Sequence, residues 1–138
     1  MADGDCIFCK IIAGEIPCSK VYEDQSVIAF LDINPVSPGH TLVVSKDHVE
    51  FYHDCSEANS IAVANAVRTI SKAVVDALEA DGYNILCNNG SAAGQLIGHV
   101  HFHIIPRTSG DCILKGWPAG SYEPGQAEVV LEKICQKL

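Results

Sequence analysis

Three histidines, His99, His101 and His103, alternate with apolar residues in the C-terminal half of the chain. Strict alternation predicts a β-strand, because successive side chains of a strand point to opposite faces of the sheet. We therefore expect the three imidazoles to share one face, within a strand that is bounded by Gly98 and Pro106. A plain solvated strand is the alternative, but the alternation takes up three of only six histidines, which favours a chemical role.

The spacing of these histidines predicts two adjacent sites. Neighbours on one strand face lie ~6.6 Å apart, so His99 and His103 should be ~13 Å apart along the strand. A single ion, with metal–nitrogen bonds of about 2.0–2.1 Å, does not easily bind all three rings. One end of the strand is then available for a metal, and His101 lies between the two sites.

A Cys-x-x-Cys motif near the N-terminus supplies the first site. Cys6 and Cys9 could be a redox pair, two buried thiols or half of a zinc site. Structural zinc prefers four cysteine or histidine ligands in a tetrahedron. Adding His48 and His99 completes such a set and would join three distant segments. His53 is expected to be solvated.

The second site is centred on His101. A neutral imidazole can attack phosphorus when its other nitrogen is hydrogen-bonded, which a backbone carbonyl or His40 could do. His103 could then donate to a phosphoryl oxygen. The small, glycine-rich segment 89–98 leads directly into the histidines and is a candidate phosphate cradle. The sequence shows neither a carboxylate pair nor a magnesium motif, which disfavours metal-assisted hydrolysis.

Size and charge limit the classes of partner. The 138 residues predict a single domain, and the formal net charge of −8 argues against nucleic-acid polymers and anionic membranes as partners. No apolar run reaches the roughly 20 residues that span a bilayer. The polar start, Met1 to Asp5, and the odd count of seven cysteines indicate reduced thiols in the cytoplasm, with the nucleus as an alternative.

The remaining pattern predicts an α+β fold with a five-stranded antiparallel sheet, one long helix and one or two short ones. Asp5 should cap a first helix that stops at Gly14, and a long helix should run from Ser56 to about Asp81 with Gly82 as its stop. That helix has a periodic apolar face comprising Val63, Val67, Ile70, Val74 and Leu78. The other predicted elements are strands at 20–23, 27–32, 40–46 and 83–88 and a helix at 128–138.

The histidine stretch, read as HφHφHφφ with φ apolar, resembles the histidine triad of the HIT superfamily. The resemblance extends over Cys6 to Ile12, the segments 15–17 and 29–35, Gly39 to His48, and Asn88 to Arg107. It is closest to the Hint branch of nucleoside phosphoramidases, and within that branch to the members with a Cys-x-x-Cys motif.

The resemblance implies a half-barrel α+β fold that forms a homodimer. It also implies that His101 attacks the α-phosphorus of a purine nucleotide conjugate, supported by His103 and His40, and that Asp32 binds the ribose hydroxyls. Zinc would lie on Cys6, Cys9, His48 and His99. The base pocket would be lined by Ile7, Phe8, Ile11, Phe30, Ile33 and Leu42. The phosphate or its nucleophile would be contacted by Asn88 and by the backbone of Gly94, Gln95 and Leu96.

Three features depart from the Hint pattern. Leu96 replaces a hydroxyl residue that is thought to help the leaving group, Gly98 replaces a bulkier residue, and residues from about 108 to 138 form a divergent tail with a short helix. The expected function is hydrolysis of nucleoside phosphoramidates to AMP through a His101–nucleotide intermediate. The alternatives are hydrolysis of dinucleoside polyphosphates and a zinc-stabilised nucleotide-binding or scaffold module with little turnover.

Overall fold

The structure, a computed structural model, describes residues 3–138. Within them lie one five-stranded antiparallel sheet and three α-helices, so the predicted α+β class is confirmed. Met1 and Ala2, part of the polar start noted above, lie outside the described residues. The strands are β1 (Lys20–Glu23), β2 (Val27–Leu31), β3 (Thr41–Ser45), β4 (Gly82–Leu86) and β5 (His101–Arg107), in the order β1-β2-β3-β5-β4. The helices are α1 (Ile7–Ile12), α2 (Glu57–Leu78) and α3 (Gln126–Cys135).

The two faces of the sheet bury different helices. On one face, alternate residues of β2, β3 and β5 pack against the apolar stripe of α2. On the other face, Ile28, Phe30, Leu42 and Val44 pack against Cys6 and Phe8 at the start of the chain. In the register of β3 with β5, Val44 is paired with His101 and Leu42 with His103. Paired residues share a face, so both histidines lie on the α1 side of the sheet.

Helix α2 begins as the sequence predicts and ends earlier. The Ser56 hydroxyl accepts a hydrogen bond from the Asn59 amide at 3.2 Å, which caps the N-terminus. The expected stop at Gly82 is wrong, because the chain leaves the helix at Glu79 in the left-handed conformation (φ 50°), and Gly82 already belongs to β4. Leu78 is 45% exposed rather than buried. It lies at the helix end over Gly39, where an added Cβ would clash with the leucine side chain.

Helix α1 is capped differently from the prediction. Asp5 does not cap it, because residues 3–5 form their own 3-10 turn. Cys6 takes the N-cap position with an extended backbone and makes no side-chain capping bond. The helix ends at Ile12, and Gly14, with φ 78°, follows it as predicted. The geometry of this short helix places Cys6 and Phe8 against the sheet.

Strand β5 starts at His101, so the expectation that all three histidines belong to one regular strand is wrong. His99 lies in an irregular segment, where its amide donates to the Ile97 carbonyl at 2.8 Å. The Val100 amide donates to the Val49 carbonyl at 2.7 Å and therefore does not pair in the sheet. The first histidine is consequently positioned by loop contacts rather than by the strand pleat.

The segment after β5 is tied back to the sheet by Arg107. Its guanidinium donates to both carboxylate oxygens of Asp111, at 2.8 and 2.6 Å, and to Asn84 Oδ1 at 2.8 Å. This pairing holds the pKa of the Asp111 carboxyl well below its usual range. The tail then leads into α3, which lies at 126–135 rather than 128–138. In the part of the chain that is described, none of the helices has the length and apolarity needed to cross a membrane.

Candidate active site and metal centre

His101 is held as a neutral imidazole with a defined tautomer. Its Nδ1 lies 2.7 Å from the His99 carbonyl oxygen. A carbonyl only accepts hydrogen bonds, so Nδ1 carries the ring proton and Nε2 keeps its lone pair. The ring is 6% exposed and packs edge-on against Phe8, with ring centres 5.0 Å apart. Burial lowers the pKa of His101, which favours the uncharged ring. These are the properties of a nucleophilic imidazole.

His40 and His103 form a directed hydrogen-bonded pair. The Val36 amide donates to His40 Nδ1 at 3.1 Å, so the proton of His40 is on Nε2. That nitrogen lies 2.9 Å from His103 Nδ1, which must accept the bond. His103 therefore carries its own proton on Nε2 and can donate it to a ligand. Burial, followed by the nearby His101 and His40 rings, lowers the pKa of His103 to about 4.

Asp32 extends this pair toward solvent. Its Oδ2 lies 3.8 Å from His40 Nε2, and its Oδ1 accepts a hydrogen bond from the Asn34 amide at 2.8 Å. The carboxylate opposes the larger effect of burial, which lowers the pKa of His40. The side chain of Asp32 is 20% exposed, so it is accessible at the rim of the site. A carboxylate in this position can accept hydrogen bonds from ligand hydroxyls.

The structure gathers part of the predicted base pocket. Phe8, Phe30 and Leu42 are buried together in the cluster beneath α1, and Ile11 packs against them. The Phe8 and Phe30 rings meet edge to face, with centres 5.7 Å apart. Ile7, at 40% exposure, and Ile33, at 88%, lie outside this core. The residues predicted to contact the base thus comprise a buried aromatic cluster and two exposed apolar side chains.

The glycine-rich loop is held by its own side chains. Gln95 accepts a hydrogen bond from the Gly90 amide at 2.6 Å and donates to the Glu50 carbonyl at 2.8 Å. Asn88 donates to the Gly94 carbonyl at 3.4 Å. Gly90 (φ 85°) and Gly94 (φ 87°) adopt the left-handed conformation that glycine tolerates. Gln95 therefore stabilises the loop, because both the oxygen and the nitrogen of its side-chain amide are hydrogen-bonded within the protein.

A second cluster lies at the start of α1, where four potential ligand atoms lie within 4.8 Å of one another. Cys6 Sγ is 3.4 Å from His99 Nδ1, Cys9 Sγ is 3.7 Å from the same nitrogen, and Cys9 Sγ is 3.2 Å from His48 Nδ1. Tetrahedral zinc with bonds of about 2.3 Å to sulfur and 2.0–2.1 Å to nitrogen separates such atoms by about 3.6 Å. The donor set and its spacing fit a zinc ion.

The outer contacts of the cluster fix the ring of His99. Its Nε2 lies 2.7 Å from the Ser45 carbonyl oxygen, so Nε2 carries the proton and Nδ1 presents its lone pair to the sulfurs. A metal-bound histidine is commonly oriented by such a bond from its second nitrogen. Cys6 and His99 are both fully buried. The four residues that ligand chemistry grouped together in the sequence are brought together here.

Comparison with known proteins agrees with this geometry. A family profile described as "HIT domain" matches residues 13–110. The chain belongs to the HIT domain family. It is 40% identical to adenosine 5'-monophosphoramidase hnt1 of Schizosaccharomyces pombe, over 96% of this chain and 98% of that protein. A crystal structure of a HIT family member from Bacillus subtilis superimposes with a TM-score of 0.89 at 43% identity, covering 97% of each chain.

A zinc-bound HIT relative is also similar in structure. This histidine triad family protein from Mycobacterium smegmatis superimposes with a TM-score of 0.77 at 32% identity, covering 99% of this chain and all of that one. The HIT fold of the present chain contains the Cys6, Cys9, His48 and His99 cluster described above. In this chain these four residues could hold a metal ion.

Some residues at this HIT site were not anticipated from sequence. Ser45 orients His99 through its carbonyl, and the only signal was a polar residue at the end of an apolar strand. Glu50 and Phe51 line a cavity next to the glycine-rich loop, and no sequence pattern indicated this cavity. Leu96, expected at the phosphate, has a side chain that is 90% exposed. Such contacts depend on the path of two loops, which no periodicity encodes.

Proposed function

We propose that the protein is a purine nucleoside phosphoramidase, which hydrolyses adenosine 5'-phosphoramidates to AMP and an amine. The observation that carries the proposal is the tautomer of His101. Its Nδ1 proton is engaged by the His99 carbonyl, which leaves the Nε2 lone pair for attack. The similarity to the S. pombe adenosine 5'-monophosphoramidase supports this assignment.

The first step forms a bond from His101 Nε2 to the α-phosphorus as the phosphorus–nitrogen bond of the substrate breaks. His103 Nε2–H donates to a phosphoryl oxygen and stabilises the negative charge that develops there. The departing amine takes a proton from water, because Leu96 offers no hydroxyl and its position is open to solvent. In the second step water attacks phosphorus, the bond to His101 breaks, and AMP leaves with a new P–OH group while a proton is released.

The nucleotide is bound by residues that surround the imidazole of His101. We place the base against Phe8, Phe30 and Leu42, with Ile7, Ile11 and Ile33 around it, and the ribose hydroxyls on Asp32. Asn88 and the backbone of 94–96 contact the phosphate. His40 positions His103 through the 2.9 Å bond between their rings.

AMP release from adenosine 5'-phosphoramidate tests the proposal. The native chain should release AMP, whereas His101→Ala should not. The matched control is His53→Ala, which removes an exposed histidine with a side chain 76% exposed and should retain activity. Absence of AMP release from the native chain would contradict the proposal.

A second candidate, hydrolysis of dinucleoside polyphosphates, is favoured by Leu96. A nucleoside phosphate is a leaving group that needs no proton, whereas an amine does, and this chain lacks the hydroxyl at position 96. Comparing AMP release from adenosine 5'-phosphoramidate and from diadenosine polyphosphates separates the two. A nucleotide that binds without turnover of either substrate would indicate the binding or scaffold module.

We further propose structural zinc on Cys6, Cys9, His48 and His99. When bound, the ion would join α1 to the segment after β3 and to the segment before β5, and all four positions of its tetrahedron would be filled by protein. Elemental analysis of purified protein should find about one zinc per chain. Absence of zinc together with full thermal stability would contradict this assignment.

The assembly proposed is one HIT domain over residues 1–138 that forms a homodimer in the cytoplasm, with the nucleus as an alternative. Strand β4 is an edge of the sheet, and its Tyr83 and Ile85 are 47% and 44% exposed. An exposed apolar edge strand is a favourable surface for pairing with a second copy. Light scattering should give the mass of two chains, and a monomer would contradict the proposal.

A further inference from the structure

A cavity of about 370 Å³ lies beside the glycine-rich loop, outside the groups assigned above to the nucleotide base and the ribose. Its volume falls within the range of small-molecule sites. The walls come from two segments that are far apart in sequence. They include Glu50, Phe51, Gly90, Gln95, Leu96 and Gly98.

Two of the three departures from the Hint pattern, Leu96 and Gly98, line this cavity. An added Cβ at Gly98 would lie 3.7 Å from the Glu50 carboxyl group, so the absence of a side chain leaves the space next to that carboxylate open. Leu96 adds an apolar side chain that is 90% exposed. A bulkier residue at 98 and a hydroxyl at 96 would make this region smaller and more polar.

The other wall is aromatic. An added Cβ at Gly90 would lie 3.8 Å from the Phe51 ring, so the ring lies close to the backbone of the loop. Phe51 also stacks on His53 with ring centres 5.4 Å apart, which restrains its orientation. Among residues 3–138, no lysine or arginine forms an ion pair with Glu50. The cavity thus combines two apolar side chains, Phe51 and Leu96, with one carboxylate that lacks a basic partner within the described chain.

The cavity adjoins the segment of chain that leads into His101. Gly98 is three residues before His101, at most about 11 Å along the chain. Leu86, the last residue of β4, is paired with His103, so the loop that follows β4 begins beside the first residues of β5, which starts at His101. Asn88 donates to the Gly94 carbonyl, which anchors the loop beside His101. A group leaving the phosphorus at His101 is therefore within reach of the cavity.

We propose that this cavity binds the leaving group of the substrate, and that the preferred leaving group is an amine with an apolar chain ending in a second, cationic group. The apolar chain packs on Phe51 and Leu96, and the distal ammonium pairs with Glu50. This inference rests on the proposed phosphoramidase function and specifies its substrate class. Glu50 acts here as a specificity residue that binds the leaving group, while the chemistry stays at His101.

The test compares two adenosine 5'-phosphoramidates, one with a 6-aminohexyl and one with an n-hexyl substituent on nitrogen. The long spacer keeps the distal charge from altering the basicity of the leaving nitrogen. We expect the native chain to prefer the aminohexyl substrate by roughly threefold to fivefold in kcat/KM, the size of one solvent-exposed ion pair, and mainly through KM. The preference should shrink as ionic strength rises.

Variants of the chain test whether Glu50 causes the preference for the aminohexyl substrate. Glu50→Gln should abolish it, and Glu50→Lys should reverse it in favour of a 5-carboxypentyl substrate. The matched control is Glu57→Gln, which removes the same charge from an exposed residue outside the cavity and should keep the preference. Gly98→Leu should weaken binding of both long-chain substrates by filling the cavity.

Two outcomes distinguish this inference from the function on which it rests. Adenosine 5'-phosphoramidate has no substituent that reaches the cavity, so failure of the native chain to hydrolyse it refutes the proposed function. Hydrolysis of that substrate without a preference for the aminohexyl compound, or a preference that survives Glu50→Gln, refutes the leaving-group site alone.

Discussion

His99 and His101 are separated by a single residue, yet the structure gives them different chemistry. Both nitrogens of His99 are engaged, Nδ1 by the thiols and Nε2 by the Ser45 carbonyl. His101 uses only Nδ1, on the His99 carbonyl, and among the described residues no hydrogen bond engages its Nε2. An imidazole with both nitrogens satisfied by the protein is a structural element, whereas one with a single nitrogen satisfied is available for reaction.

The surroundings strengthen this contrast. The cluster at His99 is formed by soft sulfur and nitrogen donors and includes two fully buried residues, which suits a closed metal centre. The cluster at His101 contains His103 and His40, which share a hydrogen bond, and Asp32, whose carboxylate lies 3.8 Å from His40 on the side toward solvent. Phe8 on α1 touches the rings of both His99 and His101, at 5.9 and 5.0 Å between centres. Phe8 therefore links the Cys6, Cys9, His48 and His99 cluster to the ring of His101.

The largest effect should come from His101→Ala, which removes the nucleophile. We expect kcat/KM for adenosine 5'-phosphoramidate to fall by at least roughly 10³-fold, as for other covalent catalysts that lose their nucleophile. Zinc content should remain that of the native chain, because the four proposed ligands are untouched. Steady-state kinetics and elemental analysis check the two halves of the prediction. Loss of zinc together with activity would mean that the two clusters are not separable.

A smaller effect is expected for His103→Ala, which removes the donor to the phosphoryl oxygen. We expect kcat to fall by roughly 10²-fold, the usual contribution of one such donor, with a much smaller change in KM. The measurement is a full saturation curve for the native chain and the variant. A variant that changes only KM would show that His103 binds the ground state and does not stabilise the transition state.

Changes to the Cys6, Cys9, His48 and His99 cluster should lower stability, in contrast to the variants above, which should lower activity. Cys9→Ala or removal of zinc with a chelator should lower the thermal midpoint of unfolding by several degrees, because α1 loses its link to His48 and His99. Cys112→Ala, which removes an exposed thiol in the tail, is the control and should leave the midpoint close to native. An unchanged thermal midpoint in Cys9→Ala would show that this cluster does not stabilise the fold.

Replacing Leu96 by serine should have a modest effect that depends on the leaving group. A hydroxyl at this position can donate a proton, so we expect Leu96→Ser to raise kcat by up to about tenfold for strongly basic alkylamines. Weakly basic arylamines need little protonation and should be hydrolysed at the native rate. Equal changes for both classes of amine would contradict a proton-donating role at this position.

The smallest effect concerns stability against acid. The folded-state pKa of His103 is about 4, below the ordinary value of 6.5. Below pH 6.5 the unfolded chain binds a proton that the folded chain does not, so the free energy of unfolding should fall as the pH drops from about 6.5 toward 4. Urea unfolding at several pH values should show a shallower fall in His103→Asn. Identical slopes in the two chains would contradict the lowered pKa.

The sequence predicted the sheet and the grouping of residues better than it predicted their orientation. Strands β1 to β4 were located within one or two residues, because alternation and turn residues mark them. The zinc ligands could be grouped by chemistry, since few alternatives exist for two cysteines and two spare histidines. The start of β5 was misplaced, because the alternation continues through His99 while the backbone there bonds to Ile97 and Val49.

Neither the histidine tautomers nor the loop contacts could be predicted from the sequence. Either a backbone carbonyl or His40 could have fixed His101, and only the structure shows that His40 pairs with His103 instead. The backbone of Gln95 was expected at the phosphate, but nothing in the sequence indicated that its side chain hydrogen-bonds to the Gly90 amide and the Glu50 carbonyl. These details depend on distances between residues that are far apart in the chain, which composition and periodicity do not contain.

The central claim is that Nε2 of His101 attacks phosphorus. The most direct test mixes excess protein with an adenosine 5'-phosphoramidate, quenches within one turnover in alkali, which preserves phosphorus–nitrogen bonds to histidine, and locates the adduct by mass spectrometry. The account predicts one adenylyl group on His101, formed and lost at rates consistent with turnover. AMP release without any adduct, or an adduct on His103 or His40, would contradict it.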